Sequence, residues 1–262
     1  MWQEERRQRI RSMLATFGNI SVDRVTEELG VSRETVRRDL LELETEGALK
    51  RVRGGALPTE SPHEAPYAIR STVRLREKQA IAGVAASLVQ PGSVLFLDGG
   101  SSTTAILAER LSKLSGLVVI TNSVDVATRF GAPHSLEKRR NRAVLIGGDF
   151  NTQAAATFGP AAINEIHRYS ADLVFLSPFG LDAAAGATSY DPGEAEIARA
   201  MLARAKRRVL LADHSKLGTV SRVSYTALAG VDQIVVDARA EQNDALPAIR
   251  AACPEVLVAP RG

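Results

Sequence analysis

Two sets of residues in this 262-residue chain have the types and spacing to act on an anion. The first begins with Asp98-Gly99-Gly100-Ser101-Ser102-Thr103-Thr104, directly after the apolar run Val94 to Leu97. Glycines let backbone N–H groups approach an anion, hydroxyls donate to it, and a helix starting among the Ser and Thr residues adds free N–H groups and a favourable dipole. Thr121-Asn122-Ser123, Gly147-Gly148-Asp149 and Asp213-His214-Ser215-Lys216 occupy the same kind of place, each following an apolar run. Lys216 contributes a point positive charge, while Asp98 and Asp213 offer carboxylates to hydroxyl groups. Taken singly, a Ser-Thr turn or an Asn-Ser pair is ordinary helix capping. An Asp-Lys pair in a surface turn is worth only about 0 to 1 kcal/mol. Their shared position at strand ends sets them apart, and together they suit a phosphorylated sugar or polyol.

The second set lies in residues 30–56, where GVSRETVRRDLLELETEG runs straight into ALKRVRGGA. Gly30 can stop one helix in the left-handed conformation, and Ser32 can cap the next. From Arg33 on, Val36, Leu40 and Leu43 form an apolar stripe, which leaves Arg33, Glu34, Thr35, Arg37 and Arg38 in its first two turns to face outward. After Gly47 the chain alternates apolar and basic residues up to Gly54-Gly55, so Lys50, Arg51 and Arg53 should project from a β-wing. A helix presented this way reaches base edges in the major groove of duplex DNA, with the wing on phosphates. Residues 1–57 hold 11 Lys and Arg against 10 Asp and Glu. Placement of charge, and not bulk basicity, therefore carries the reading. A lone Arg-Arg pair is usually a solvated face; its occurrence with a Gly-Val-Ser turn and a basic Gly-Gly wing is not.

Each set needs a scaffold. Ile10, Met13, Leu14 and Phe17 make a helical stripe, and Val22, Val25 and Leu29 make another after Ser21, a cap. Three helices with a helix-turn-helix over about 20–39 can share one small core. Pro58 to Pro66, with three prolines among Thr, Ser, Glu and His, reads as an extended connection. The expected division is a winged helix-turn-helix domain over 1–57, a linker over 58–73 and an effector-sensing, oligomerising domain over 74–262.

In the last of these, helical periodicity resumes near Arg74, and seven short apolar runs follow: 94–97, 117–120, 143–146, 173–176, 209–212, 234–236 and 256–258. Helical segments fall near 103–114, 124–130, 160–169, 193–206 and 242–252. Strands that are apolar throughout belong to a sheet covered on both faces, so the class is α/β with a mostly parallel sheet sandwiched by helices. Ligands in such domains sit beyond the carboxyl ends of the strands, where the first set lies.

Other chemistries find little support. The single Cys253 forms no internal disulfide, and His63, His134, His167 and His214 lack metal-ligand spacing. No metal and no cofactor is implied. No segment approaches the roughly 18 apolar residues of a membrane span, and the charged run Glu4 to Arg11 is unlike a secretion signal, so a cytoplasmic location is expected.

The run from Glu5-Arg6-Arg7 through VSRETVRRDLLELETEGALKRVRGGA resembles the DNA-binding head of the DeoR/GlpR family of bacterial transcriptional regulators. REKQAIAGVAASLV, FLDGGSSTTAILAERL, VVITNS, VLIGGDF, FGLDAAAGATSYDPGEAEIARAML and LLADHSK are similar to successive motifs of that family's effector domain. The resemblance implies a fold related to ribose-5-phosphate isomerase and glucosamine-6-phosphate deaminase, with catalysis given up for sensing. It also implies that Lys78, Asp98, Ser102, Thr103, Thr104, Asn122 and Lys216 lie at or near the effector pocket. Three departures stand out: Arg53 where His commonly precedes the Gly-Gly of the wing, Ser177-Pro178-Phe179-Gly180 where small residues are frequent, and a charged insertion over Pro133 to Arg142.

Two functions follow. The favoured one is a repressor of carbohydrate-metabolism genes that binds double-stranded operator DNA as a homo-oligomer, dimer or tetramer, and responds to a phosphorylated sugar or polyol. It has no catalytic residues. The expected effector contacts are Lys78, Asp98, Gly100, Ser102, Thr103, Thr104, Asn122, Ser123, Gly148, Asp213 and Lys216; the expected DNA contacts are Ser32, Arg33, Glu34, Thr35, Arg37, Arg38, Lys50, Arg51 and Arg53. The alternative is a phosphosugar isomerase or deaminase-like enzyme with an N-terminal assembly domain, whose acid and base would come from Asp98, Asp213, Glu194 or Glu196. No compact carboxylate pair or His-carboxylate motif announces one.

Overall fold

The computed structural model describes residues 2–17, 20–52, 54–57, 72–99, 101–131 and 140–261. The chain divides into two compact units, Met1–Val73 and Arg74–Gly262. Arg53, Gly100 and most of the expected linker and of the charged insertion lie outside the described residues.

In the first unit, α1 (Gln3–Phe17), α2 (Val22–Leu29) and α3 (Arg33–Thr45) enclose a core of Ile10, Met13, Leu14, Val22, Val25, Val36, Leu40 and Leu43. The corner between α2 and α3 forms as its residues dictate. Ser21 Oγ accepts the Arg24 N–H at 3.2 Å, Gly30 ends α2 at φ 64°, and Ser32 Oγ accepts the Thr35 N–H at 3.2 Å. The wing has one more strand than expected. β1 (Ile20–Ser21) pairs antiparallel with β3 (Gly55–Leu57), which also pairs with β2 (Lys50–Val52), to give the order β1-β3-β2. Gly54 turns the hairpin at φ 87°, and Gly55 is required by close approach: a Cβ there would stand 2.0 Å from the Ile20 carbonyl oxygen.

The second unit opens with α4 (Leu75–Ser87) and continues β4 (Val94–Leu97), α5 (Ser102–Leu111), β5 (Val118–Thr121), α6 (Val124–Phe130), β6 (Arg142–Leu145), β7 (Asp149–Asn151), β8 (Ala156–Phe158), α7 (Gly159–Ile166) and β9 (Ala171–Leu176). Then come β10 (Gly180–Asp182), β11 (Gly186–Ser189), α8 (Pro192–Ala203), β12 (Ala205–Ala212), β13 (Val223–Thr226), β14 (Gln233–Val236), α9 (Leu246–Ala252) and β15 (Val256–Val258), with short 3-10 turns between several of them. Seven strands form one sheet in the order β15-β14-β12-β9-β4-β5-β6, every neighbouring pair parallel.

Both faces are covered. Leu95, Leu97, Val119, Phe175 and Leu211 pack with Ile81, Ala85, Leu107, Leu111 and Phe130 of α4, α5 and α6. Phe96, Ile120, Val174, Leu176 and Leu210 pack with Ile166, Met201 and Ile249 of α7, α8 and α9. Alternate residues of each apolar run thus serve opposite layers, which explains why the runs carry no polar positions. Beside this sheet sit a small antiparallel sheet, β10-β11-β13, and the hairpin β7-β8. The sequence missed both. It also ended the helix before β12 too late: Lys206, Arg207 and Arg208 belong to the strand, whose first half is only partly covered.

Candidate functional site

Along the sheet, β4, β5 and β6 run outward in one direction and β9, β12, β14 and β15 in the other, so the order reverses between β4 and β9. A crevice opens at such a switch point, beyond the carboxyl ends of the two strands. Asp98 follows β4 there, and its Oδ2 accepts the Ser177 N–H just past β9 at 2.8 Å. The following turn folds onto itself. Ser101 caps α5 by accepting the Thr103 N–H at 3.1 Å, and the buried Thr104 hydroxyl donates to the carbonyls of Asp98 and Ser101 at 3.1 and 3.0 Å. Ser102 and Thr103 are buried in the first turn of α5.

Asn122 and Ser123 hold the neighbouring loops. Asn122 Oδ1 accepts the Gly99 N–H at 2.8 Å and its Nδ2 donates to the Thr157 carbonyl at 2.9 Å, while Ser123 caps α6. The polar atoms of Thr104 and Asn122 thus shape the cradle through backbone contacts. Gly148 lies past β6, two strands from β4, where a Cβ would stand 2.5 Å from the Phe158 carbonyl. Its glycine is accounted for by that close approach.

On the other side of the reversal, Asp213 follows β12 and is only 3% exposed. Its Oδ1 accepts the Ser215 N–H at 3.0 Å and the Ser215 hydroxyl at 2.5 Å, and the Arg74 guanidinium stands 3.7 Å away. Burial pushes the Asp213 carboxyl up, but the charges of Arg74 and Lys216 and the Ser215 hydrogen bonds outweigh it and hold the group below the ordinary value. Lys78, one turn into α4, is 6% exposed.

Ser189, Tyr190, Arg222, Tyr225 and Asp237 were not singled out in the sequence. Lys216 Nζ sits 4.9 Å from the centre of the Phe179 ring, Phe179 lies 6.2 Å from Tyr190, and Arg222 covers Tyr190 at 4.0 Å. Burial pushes the Tyr225 hydroxyl well above its usual range, and the charges of Asp98 and Glu194 add to this, so it remains an O–H donor. Ser189 donates to Glu194 at 3.0 Å. His214 Nδ1 lies 3.1 Å from both oxygens of buried Asp237. Phe179, Ser189, Tyr190, Arg222 and Tyr225 come from β10, β11, β13 and their flanks, whose pairing no periodicity announced. Arg74 and Lys216 thus stand with the Asp213 carboxylate, while Asp98 and Glu194 act on the Tyr225 hydroxyl.

In the first unit, Glu34, Arg37, Arg38 and Lys50 are exposed on α3 and the wing. Arg37 stands 3.8 Å from Glu34, and Arg33 pairs with Asp23 at 2.9 Å. Ser32 and Thr35 are joined through their hydroxyls at 2.9 Å, and the exposed Arg51 donates its N–H to Glu44 at 2.7 Å. Surface pairs of this kind contribute little and exchange readily for phosphate. The other side of α3 is also charged. Asp39, fully buried, takes both Nε and Nη2 of Arg6, the latter at 2.9 Å; Arg7 pairs with Glu42 and Glu46, and Arg11 with Glu46. Asp39, Glu42 and Glu46 recur at helical spacing opposite the basic residues of α1, a signal that could have identified this seam.

Comparison with known proteins names both units. Residues 6–61 match the model of the DeoR-like helix-turn-helix domain and residues 73–238 that of the DeoR C terminal sensor domain. The HTH-type transcriptional regulator GlpR of Haloferax volcanii is 34% identical over 90% of this chain and 91% of its own. The HTH-type transcriptional repressor GlcR of Bacillus subtilis is 33% identical over 90% and 89%. The glycerol-3-phosphate regulon repressor of Escherichia coli is 29% identical over 91% and 92%. Likeness to solved enzymes is slight: ribose 5 phosphate isomerase A from Neisseria gonorrhoeae shares 15% identity over 56% of this chain and 54% of its own, at a TM-score of 0.38, and adds nothing to the reading of the site. The relatives are regulators and not enzymes, no helix among the described residues is long and apolar enough to cross a membrane, and the chain belongs to the DeoR family of DNA-binding transcriptional regulators.

Proposed function

We propose that this regulator is a cytoplasmic repressor of carbohydrate-metabolism genes whose operator affinity is set by a phosphorylated sugar or polyol bound at the switch point. The observation that carries the reading is that Asp98, tied to Ser177, follows β4 while Asp213, with Arg74 and Lys216 acting on it, follows β12 across the β4–β9 reversal. Lys78, Lys216 and the first turn of α5, with Ser102, Thr103 and Gly100, take the phosphate; Asp98 and Asp213 take hydroxyls, while Thr104, Asn122, Ser123 and Gly148 keep the cradle in shape. The names of the relatives, among them a glycerol-3-phosphate regulon repressor, support a phosphorylated metabolite.

The proposed DNA face comprises Ser32, Arg33, Glu34, Thr35, Arg37 and Arg38 of α3 with Lys50, Arg51 and Arg53 of the wing. One head covers few base pairs, so a homo-oligomer reading paired half-sites is part of the proposal. The test is a thermal-shift screen of phosphorylated sugars and polyols, then operator binding with and without each hit. A stabilising sugar phosphate that also changes operator affinity is the expected result; stabilisation with no effect on DNA would sink the reading. Arg37→Ala and Arg38→Ala should each weaken operator binding at unchanged thermal stability and reduce the slope of log K against log salt by about 1.

A further inference from the structure

We infer that Arg74 is a ligand for the anionic group of the effector and, by the same contact, the lever through which occupancy of the switch-point pocket reaches the connection to the helix-turn-helix head. The inference rests on the effector reading proposed above.

Arg74 is the first residue of the second unit, immediately before α4. Its backbone lies in the left-handed region, at φ 54° and ψ 42°, and its side chain makes no capping hydrogen bond to the helix it precedes. A residue with a Cβ holds that conformation only where its surroundings impose it, and such strain gathers at ligand clamps and switches. Here the surroundings include the pocket. The Arg74 guanidinium reaches Asp213, while its carbonyl accepts the Lys78 N–H at 3.0 Å, so the residue is gripped at both ends.

The Arg74–Asp213 contact has the character of an exchangeable one. At 3.7 Å the ion pair is longer than a hydrogen bond, and the Asp213 oxygen nearest Arg74 already accepts from Ser215 twice. The Arg74 side chain is 15% exposed against 3% for Asp213, so an entering anion meets the guanidinium first. A phosphate offers the planar guanidinium a bidentate partner, which this carboxylate oxygen, already occupied by Ser215, does not. Lys216 also acts on Asp213, so a phosphate taken up beside Lys216 competes with Asp213 for Arg74.

Once the guanidinium moves to the ligand, the part of the restraint on a strained φ at the start of α4 that Asp213 supplies is lost. Rotation at that single residue redirects the chain entering from residues 58–73 and leaves the helix intact. This supplies a differential free energy between two states of one element, which coupling between two sites requires.

The test uses the full-length chain, a duplex selected from random DNA by the wild type, and glucose 6-phosphate, glycerol 3-phosphate and inorganic phosphate as probes. For the wild type, at least one sugar or polyol phosphate should stabilise the protein and change operator affinity; insensitivity to all three overturns the effector reading and the inference with it. For Arg74→Ala, the active probe should bind at least tenfold more weakly, and operator affinity at saturating probe should equal that without it. Arg74→Lys, which keeps the charge, should recover part of the binding. Asp213→Asn weakens the hold on the guanidinium without a ligand, so its operator affinity with no probe present should shift toward the value the wild type reaches with saturating probe. An Arg74→Ala chain that keeps the full wild-type change in operator affinity, or an Asp213→Asn chain that behaves as the unliganded wild type, overturns the inference and leaves the effector reading standing.

Discussion

Arg6 and Asp39 are 33 positions apart and meet in the interior of the first unit, a carboxylate with no exposed surface holding a guanidinium by two bonds. The RRDL string of α3 therefore does two jobs on two faces: Arg37 and Arg38 look outward, while Asp39, one position on, ties the helix to α1. Sequence reading saw the outward arginines and passed over Asp39, because a single acidic residue beside two basic ones looks like surface charge. Its partner lies on another helix. The energetic consequence is large, since removing one member of a buried pair strands the other without water, at about 3–5 kcal/mol. Arg6→Ala or Asp39→Ala should unfold the first unit in urea at much lower concentration and leave the transition of the second unit in place. Arg6→Met with Asp39→Leu should recover most of the loss, because apolar replacement of both members restores packing without a stranded charge. Single variants as stable as the wild type would mean that the pair is open to solvent.

At the level of elements, legibility follows from how each segment is covered. The central strands of the main sheet stood out because burial on both faces demands apolar residues in succession, as in VLFL, VVI and LVFL, whereas the edge strand β6 is exposed at Arg142 and Leu145. Strand β12 was cut short because Lys206 to Arg208 lie where it is only partly covered, and β10, β11 and β13 were lost because GLD, GATS and VSYT mix glycine, hydroxyls and charge with no period of two. Those short strands are held by backbone pairing across loops, a fact about chain geometry more than about side chains. Much of the site was hidden for the same reason, since Phe179, Tyr190 and Tyr225 are brought in by that small sheet. The wing is the opposite case: its Gly-Gly was readable as a turn, but the two glycines differ in kind. Gly54 has open space around its missing Cβ, so Gly54→Ala should cost about 1 kcal/mol for the left-handed φ alone. Gly55→Ala forces a Cβ into the Ile20 carbonyl and must part β3 from β1, at about 3 kcal/mol. Urea unfolding of the two variants should separate them clearly, and operator binding should fail first in Gly55→Ala; equal effects would mean that β1 does not bear on the wing.

For the whole molecule, two compact units with separate cores imply two unfolding events that respond to different ligands. Met1–Val73 and Arg74–Gly262 each have a core of their own, so each ligand acts first on the unit that binds it. A sugar phosphate at 100 times its dissociation constant adds about 2.7 kcal/mol to the state that holds it. For a domain the size of the second unit, that raises its midpoint by roughly 5–10 °C. Operator duplex should raise the other transition. Calorimetry with neither ligand, each alone and both together then measures more than two affinities. If effector and operator work through one equilibrium, the stabilisation given by both must differ from the sum of the two by the same coupling free energy that the change in operator affinity reports, because linkage between two sites is reciprocal. A strictly additive result must go with an operator affinity that does not respond to the sugar phosphate, and that pair of results would mean that the ligand bound at the switch point does not regulate DNA binding.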